Sequence, residues 1–349
     1  MARRKRNPAG GMAMAKRRKV NRVLGLDLGS YAVKAVEMTR RGERLLVTGY
    51  AYEPVLNPDK YAAAVKAALR SGGLRADRVA VGVSGKGTLT QAVQASAAHE
   101  EDMENVLRRE AAKVSRLDLD NALFGYQLLE PGEGGAVKAI VAASSYDALD
   151  ARLDILDDAG IVPDYVDTEL IALANAYETA NSRGHFQHPR RGVVLADIGA
   201  EKTLIAATGA NVNLFREFPF GGIALTEMVA RRLDIGLDEA ERVKCDPGER
   251  MQVVRDAIYP GIEDLAAEIR AVAEYFRTMG GGNPALLLVS GGLAAFPAAA
   301  RVLGRLAKLR SGVFDSFGRV EADQRERDFL KAYAHEFPIA FGLACRARN

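Results

Sequence analysis

Tryptophan is absent from the 349 residues, cysteine occurs twice and histidine four times. Cys245 and Cys345 stand 100 positions apart, which matches no metal-binding or redox spacing and fits a reduced, cytoplasmic compartment. His99, His185, His188 and His335 make no His-Glu-x-x-His pattern, and His185 and His188 lie among Arg and Pro in a polar loop where they read as solvated. No apolar run approaches the roughly 20 residues of a membrane-spanning helix, so the chain reads as soluble and not as an integral membrane protein. Acid is missing from the first 19 residues, where Arg3, Arg4, Lys5, Arg6, Lys16, Arg17, Arg18 and Lys19 put eight positive charges; against an overall +3, the remainder is net −5. Gly and Ala separate the two basic clusters and no aromatic side chain lies among them to stack on bases. The tail 1–20 therefore reads as a disordered, solvated arm, ahead of a start-site extension or a contact for anionic lipid, and no nucleic-acid partner is expected. Gly-Met-Ala-Met-Ala within it is too short for the apolar core of a signal peptide.

What the chain does have is 48% hydrophobic and 27% charged residues, the balance of a globular protein, and a length that implies two or more lobes. Residues 23–37 organise it. Apolar β-formers flank Asp27-Leu28-Gly29-Ser30, giving two buried strands about a tight polar turn that presents backbone N–H groups, a hydroxyl and a carboxylate at a sheet edge. Such a turn outlines an anion and metal site. The same pattern returns at 193–205 with Asp197-Ile198-Gly199, both Asp197 and Gly199 lying 170 positions after their counterparts. Each copy continues into a third strand, at 44–52 and 212–218, which predicts a duplicated α/β lobe with two turns facing one cleft.

Between the copies, a helix at 61–69 ends at Ser71-Gly72-Gly73. The strands 79–83, 88–94, 122–129 and 137–143, with a helix from about 100 to 114, suggest an inserted α+β unit with its own sheet. A helix over 146–159 stops at Gly160, another Ala-rich helix follows Glu169, and 181–192 reads as a polar bridge between halves. After the second copy come helices at 224–233 and 237–244, the second capped by Asp238, with Glu241 and Lys244 three apart on one face. Ile262, Leu265, Ile269, Val272 and Phe276 form the apolar stripe of a long helix. The buried strand 286–289 then runs into Ser290-Gly291-Gly292 and a helix through Ala298, where a flat ligand could lie against bare backbone.

Asp-Leu-Gly-Ser with Lys34 downstream, Asp-Ile-Gly with Thr203, and Val-Ser-Gly-Gly occur in the order of the nucleotide-binding signature of the actin, Hsp70 and sugar-kinase superfamily. Glu110-Ala111, Phe124-Gly125-Tyr126-Gln127, 159–163 with Val166-Asp167, Gly221-Gly222 with Leu225-Thr226, and the ending 337–346 resemble the PilM family, actin-like proteins of type IV pilus assembly related to the division protein FtsA. The likeness runs from about Val23 to Arg346. It departs in the basic tail and at Ser115-Arg116-Leu117, where members tend to carry an Ile-Pro-Phe-like segment.

The resemblance implies duplicated actin-like, ribonuclease H-like lobes: subdomain 1A at 21–75 and 148–190, inserted 1C at 76–147, 2A at 191–232 and 284–349 with the final helix free to return to 1A, and 2B at 233–283. It implies ATP between the halves, held by Gly29, Ser30, Tyr31, Lys34, Gly199, Ala200, Glu201, Lys202, Thr203, Gly222, Glu241, Lys244, Gly291, Gly292 and Leu293. Asp27 and Asp197 would hold Mg²⁺ through waters. Glu169 would orient an attacking water, and equally suits a helix N-terminus as an acid on the dipole. Slow hydrolysis is expected, with nucleotide setting the angle between lobes and so the affinity for a partner. That partner is the cytoplasmic N-terminus of an inner-membrane PilN-like protein, docked beside 1C, which would place the chain at the inner membrane's cytoplasmic side; self-association is left open. An FtsA-like filament former is the alternative, disfavoured because no amphipathic helix follows the last core helix. A small-molecule kinase of the superfamily is the other, lacking any segment assignable to sugar binding.

Overall fold

The computed structural model describes residues 22–95, 102–129, 136–181, 192–209, 212–318 and 333–348, apart from Glu43, Leu56, Ala76 and Pro297. The basic tail, the turn at 130–135 and most of the polar bridge lie outside the described residues. Strands β1 (Arg22–Leu28), β2 (Ala32–Arg41) and β3 (Arg44–Pro54) form an antiparallel meander. Parallel strands β4 (Arg78–Val83) and β8 (Tyr165–Thr168) extend it to the order β3-β2-β1-β4-β8. The second sheet repeats this plan. Strands β9 (Val193–Ile198), β10 (Thr203–Gly209) and β11 (Val212–Phe218) make the meander, and β12 (Leu286–Ser290) and β13 (Arg310–Val313) complete the order β11-β10-β9-β12-β13.

Helices α1 (Tyr61–Ser71) and α3 (Tyr146–Ala159) cover one face of the first sheet, burying Val65, Ala68 and Leu156 against Leu24, Leu26 and Val81. Ser145 caps α3 by accepting from Ala148 N, and Gly160 closes it at φ +75°. Against the opposite face lie α4 (Glu169–Asn181) and the C-terminal helix Pro338–Ala344. Their shared core also takes in Leu195, Leu204 and Leu288 of the second sheet, so these two helices are the packed layer between the sheets. They cross closely: a methyl at Gly342 would overlap the Ala172 carbonyl. Helices α5 (Gly222–Leu233), α7 (Met251–Thr278) and α8 (Ala299–Ala307) cover the outer face of the second sheet, α7 through the expected Ile262-to-Phe276 stripe.

The inserted unit contains β5 (Thr88–Ala95), α2 (Met103–Ala112), β6 (Ala122–Leu128) and β7 (Val137–Ser145), in a three-stranded sheet ordered β5-β7-β6. The expectation that it begins with the strand at 79–83 is corrected: β4 pairs in parallel with β1 and β8 and belongs to the first sheet. An apolar run identifies a buried strand without saying which sheet it joins. Helix α6 (Leu237–Cys245) has Gly236 as its N-cap, so Asp238 lies in its first turn and does not cap it. After Gly291-Gly292 comes a 3₁₀ turn, Gly292–Ala295, and α8 begins only at Ala299.

Candidate functional site

The two Asp-x-Gly turns, at the ends of β1 and β9, line one cavity of about 540 Å³. Sheet register fixes what each turn carries. Asp27 is paired with Lys34 on β2, and Lys34 Nζ lies 3.3 Å from Asp27 Oδ2 and 3.9 Å from Glu336 Oε2. Asp197 is paired with Leu204 on β10, so the second copy has no lysine opposite its aspartate; on its other side Ser290 donates to Asp197 Oδ1 at 2.7 Å. Burial raises the Asp27 carboxyl and Lys34 only partly offsets it. Burial likewise pushes Asp197 up to about 7, against the pull of Lys34 and Ser290. Burial disfavours the Lys34 ammonium, but Asp27, Glu336 and Asp197 outweigh it and hold its pKa above the ordinary lysine value.

Contacts between the lobes run along the turns. Ser30 Oγ donates to Glu201 Oε2 at 2.9 Å, and Gly85 N donates to Glu217 Oε2 at 2.9 Å. Glu169, at the start of α4, meets Lys202 Nζ at 3.1 Å and Arg152 Nη2 at 3.8 Å. Burial acts to raise the Glu169 carboxyl, but Lys202 and Arg152 overcome it and hold it below the usual range. The second turn is tied to α5 by Gly222 N to Gly199 O at 2.9 Å and Ile223 N to Ala200 O at 2.8 Å.

At the far side of the cavity Lys244 Nζ donates to Gly222 O at 3.0 Å, Thr226 Oγ1 at 2.7 Å and Glu241 Oε2 at 2.7 Å. Those contacts use all three ammonium donors, so Lys244 ties α6 to α5 and orients Glu241. Burial pushes the Glu241 carboxyl up, but hydrogen bonds from Lys244 and Thr226 prevail and keep it low.

The structure brings nearly all the sequence-selected residues together. Asp27, Gly29, Ser30, Tyr31, Lys34, Glu169, Asp197, Gly199, Ala200, Glu201, Lys202, Gly222, Glu241, Lys244, Gly292 and Leu293 line the cavity. Thr203 and Gly291 are not among its walls. Thr203 is fully buried and its hydroxyl donates to Phe220 O at 2.7 Å, so it shapes the turn from behind. Gly291, at φ +79°, packs against the Ile198 backbone, where a side chain would overlap the carbonyl, and its N–H donates to His335 O at 2.8 Å. Sequence reasoning missed Glu336, Tyr52, Thr226 and Ile339. Glu336 stands one residue before the ending 337–346 and in none of the Asp-x-Gly or Gly-Gly signatures, and the packing of the C-terminal helix on β1 carries it to Lys34.

The family model described as Type IV pilus assembly protein PilM matches residues 25–348. This chain belongs to the PilM family. A chain of the PilM-PilN type IV pilus biogenesis complex superimposes with a TM-score of 0.82 at 26% identity, covering 95% of this family member and 100% of that chain. Ethanolamine utilization protein EutJ from Carboxydothermus hydrogenoformans matches with a TM-score of 0.55 at 16% identity over 93% of this chain and 89% of its own. A diol dehydratase-reactivating factor in nucleotide-free form gives 0.57 at 10% identity over 94% and 100%. These last two share the fold alone, and with the duplicated sheets they identify it as the actin-like α/β fold.

Proposed function

We propose that this PilM-family chain binds ATP with Mg²⁺ between its lobes and, through the state of that cleft, docks the cytoplasmic N-terminus of an inner-membrane PilN-like protein. The observation that carries the nucleotide reading is the convergence of both Asp-x-Gly turns on one cavity with Lys34 at its centre of charge. Its volume of about 540 Å³ lies within the range of small-molecule sites. Lys34 supplies a point charge for phosphate oxygens. Glu241, kept as a carboxylate, is an acceptor for ribose hydroxyls, and Ile223, Leu237, Leu293 and Phe296 offer an apolar wall for a base.

Asp27, buried, and Asp197, partly exposed, fit a hard divalent cation by donor chemistry, being carboxylates on the same cavity. Among the described residues no cluster of three acidic, His or Cys side chains could hold a metal unaided, so such a cation would take its other ligands from water and phosphate. Bound there, it would neutralise phosphate charge. Glu169 is engaged by two cations and is therefore a weak base, which supports slow hydrolysis and a role for nucleotide in setting lobe closure.

The partner half of the reading rests on family membership and on the complex in which the 26%-identical chain was solved with PilN. Among the described residues no helix is long and apolar enough to cross a membrane, and the proposed place at the inner membrane's cytoplasmic side comes through the partner. Immobilised PilN-type N-terminal peptide, offered the chain with and without Mg²⁺-ATP, tests this. Retention that differs several-fold between the two conditions is expected. Failure to bind any such peptide, together with ATP-dependent polymerisation, would favour a filament former instead.

A further inference from the structure

Lys202 belongs to the second lobe's Asp-x-Gly turn, yet its ammonium is held by the first lobe: it meets Glu169 Oε2 at 3.1 Å and donates to Ser84 Oγ. The repeat does not explain it. The position 170 residues earlier is Ala32, while the copy of Lys34 is Leu204, so each lobe's Asp-x-Gly hairpin places one lysine on the cavity, at a different step. Lys34 has a counter-ion in its own lobe, Asp27. The counter-ion of Lys202 lies across the cleft.

That cross-lobe pair can be exchanged at low cost. Glu169 keeps a second cation, Arg152, at 3.8 Å, and Arg152 is fixed to the first lobe by donating to Leu28 O at 2.7 Å. If Lys202 leaves, the buried Glu169 carboxylate is not stranded. Lys202, for its part, lines the same cavity as both turns and is partly exposed there. A terminal phosphate carries about two negative charges and three acceptor oxygens, so it competes well against a carboxylate that already has another partner.

We propose that Lys202 is a γ-phosphate-reading residue, resting on Glu169 in the nucleotide-free cleft and shifting to the terminal phosphate of a bound nucleoside triphosphate. This rests on the nucleotide reading of the cleft. A diphosphate leaves the Glu169–Lys202 tie in place; a triphosphate trades it for a contact inside the cleft. The tie from Gly85 to Glu217 lies outside the cavity's walls, so the lobes stay joined there while one link is replaced.

The test is a competition titration of ATP and ADP, in excess Mg²⁺, on the full chain and its variants. Lys202→Met should weaken ATP by about tenfold or more and leave ADP within about twofold, while Lys202→Arg retains the preference. Glu169→Gln, which loosens the resting pair, should strengthen ATP and leave ADP unchanged; it carries the test if Lys202→Met does not fold. Equal effects on both nucleotides, or none on either, would overturn the role of Lys202 while leaving the nucleotide site intact. A wild-type chain that binds neither nucleotide overturns the site itself and this inference with it.

Discussion

Asp27 and Asp197 occupy the same place in two copies of one sheet, and one strand position separates their chemistry: the residue opposite is Lys34 in the first copy and Leu204 in the second. Both carboxylates were legible from the Asp-x-Gly spacing, and Lys34 from the resemblance to the actin, Hsp70 and sugar-kinase signature. The raised pKa of Asp197 was not, because it depends on burial and in part on Glu336, which joins the site from the far end of the chain. Asp197 gives this scale its prediction. In the unfolded chain its carboxyl sits at the ordinary aspartate value of 3.8, and in the fold burial pushes it up to about 7. The folded state holds the proton more tightly, so this group's contribution to stability is full below 3.8 and is lost as pH rises through 7. A cation at the same carboxylate must displace that proton, and the opposite trend follows for the ligand. The Mg²⁺-dependent part of ATP affinity should rise about tenfold between roughly pH 6 and pH 8 and stay flat in Asp197→Asn. A flat wild-type profile would place the cation elsewhere.

Among the elements, the two meanders were readable because apolar residues alternate about turns that only a few residue types can form. Parallel strands were harder. β4 is a short apolar run whose sheet is chosen by pairing with β1, and β13, Arg-Ser-Gly-Val, carries almost no pattern of its own. The layer between the sheets includes a close crossing, Gly342 of the C-terminal helix on Ala172 of α4. Gly342→Ala forces backbone apart in a core that joins both sheets, and a loss of about 1–3 kcal/mol is expected from denaturant unfolding. Wild-type stability in that variant would mean the helices have room to shift. Because that helix also positions Glu336 and Ile339 on the cavity, weaker nucleotide binding should accompany the loss.

At the scale of the molecule, two copies of one lobe face a shared cavity, an inserted three-stranded unit interrupts the first, and polar ties cross between them at Ser30–Glu201, Glu169–Lys202 and Gly85–Glu217. The duplication was visible as a 170-residue offset, whereas the ties were not, since a hydroxyl and a carboxylate 171 positions apart leave no trace in spacing. If the cleft is a nucleotide site built from both copies, each lobe must contribute to it separately. Calorimetric titration of Mg²⁺-ATP into the wild-type chain, Lys34→Ala and Asp197→Ala measures this directly. Saturable binding by the wild type, weakened by about tenfold or more in each variant, is the predicted result; affinity unchanged in both variants would contradict it.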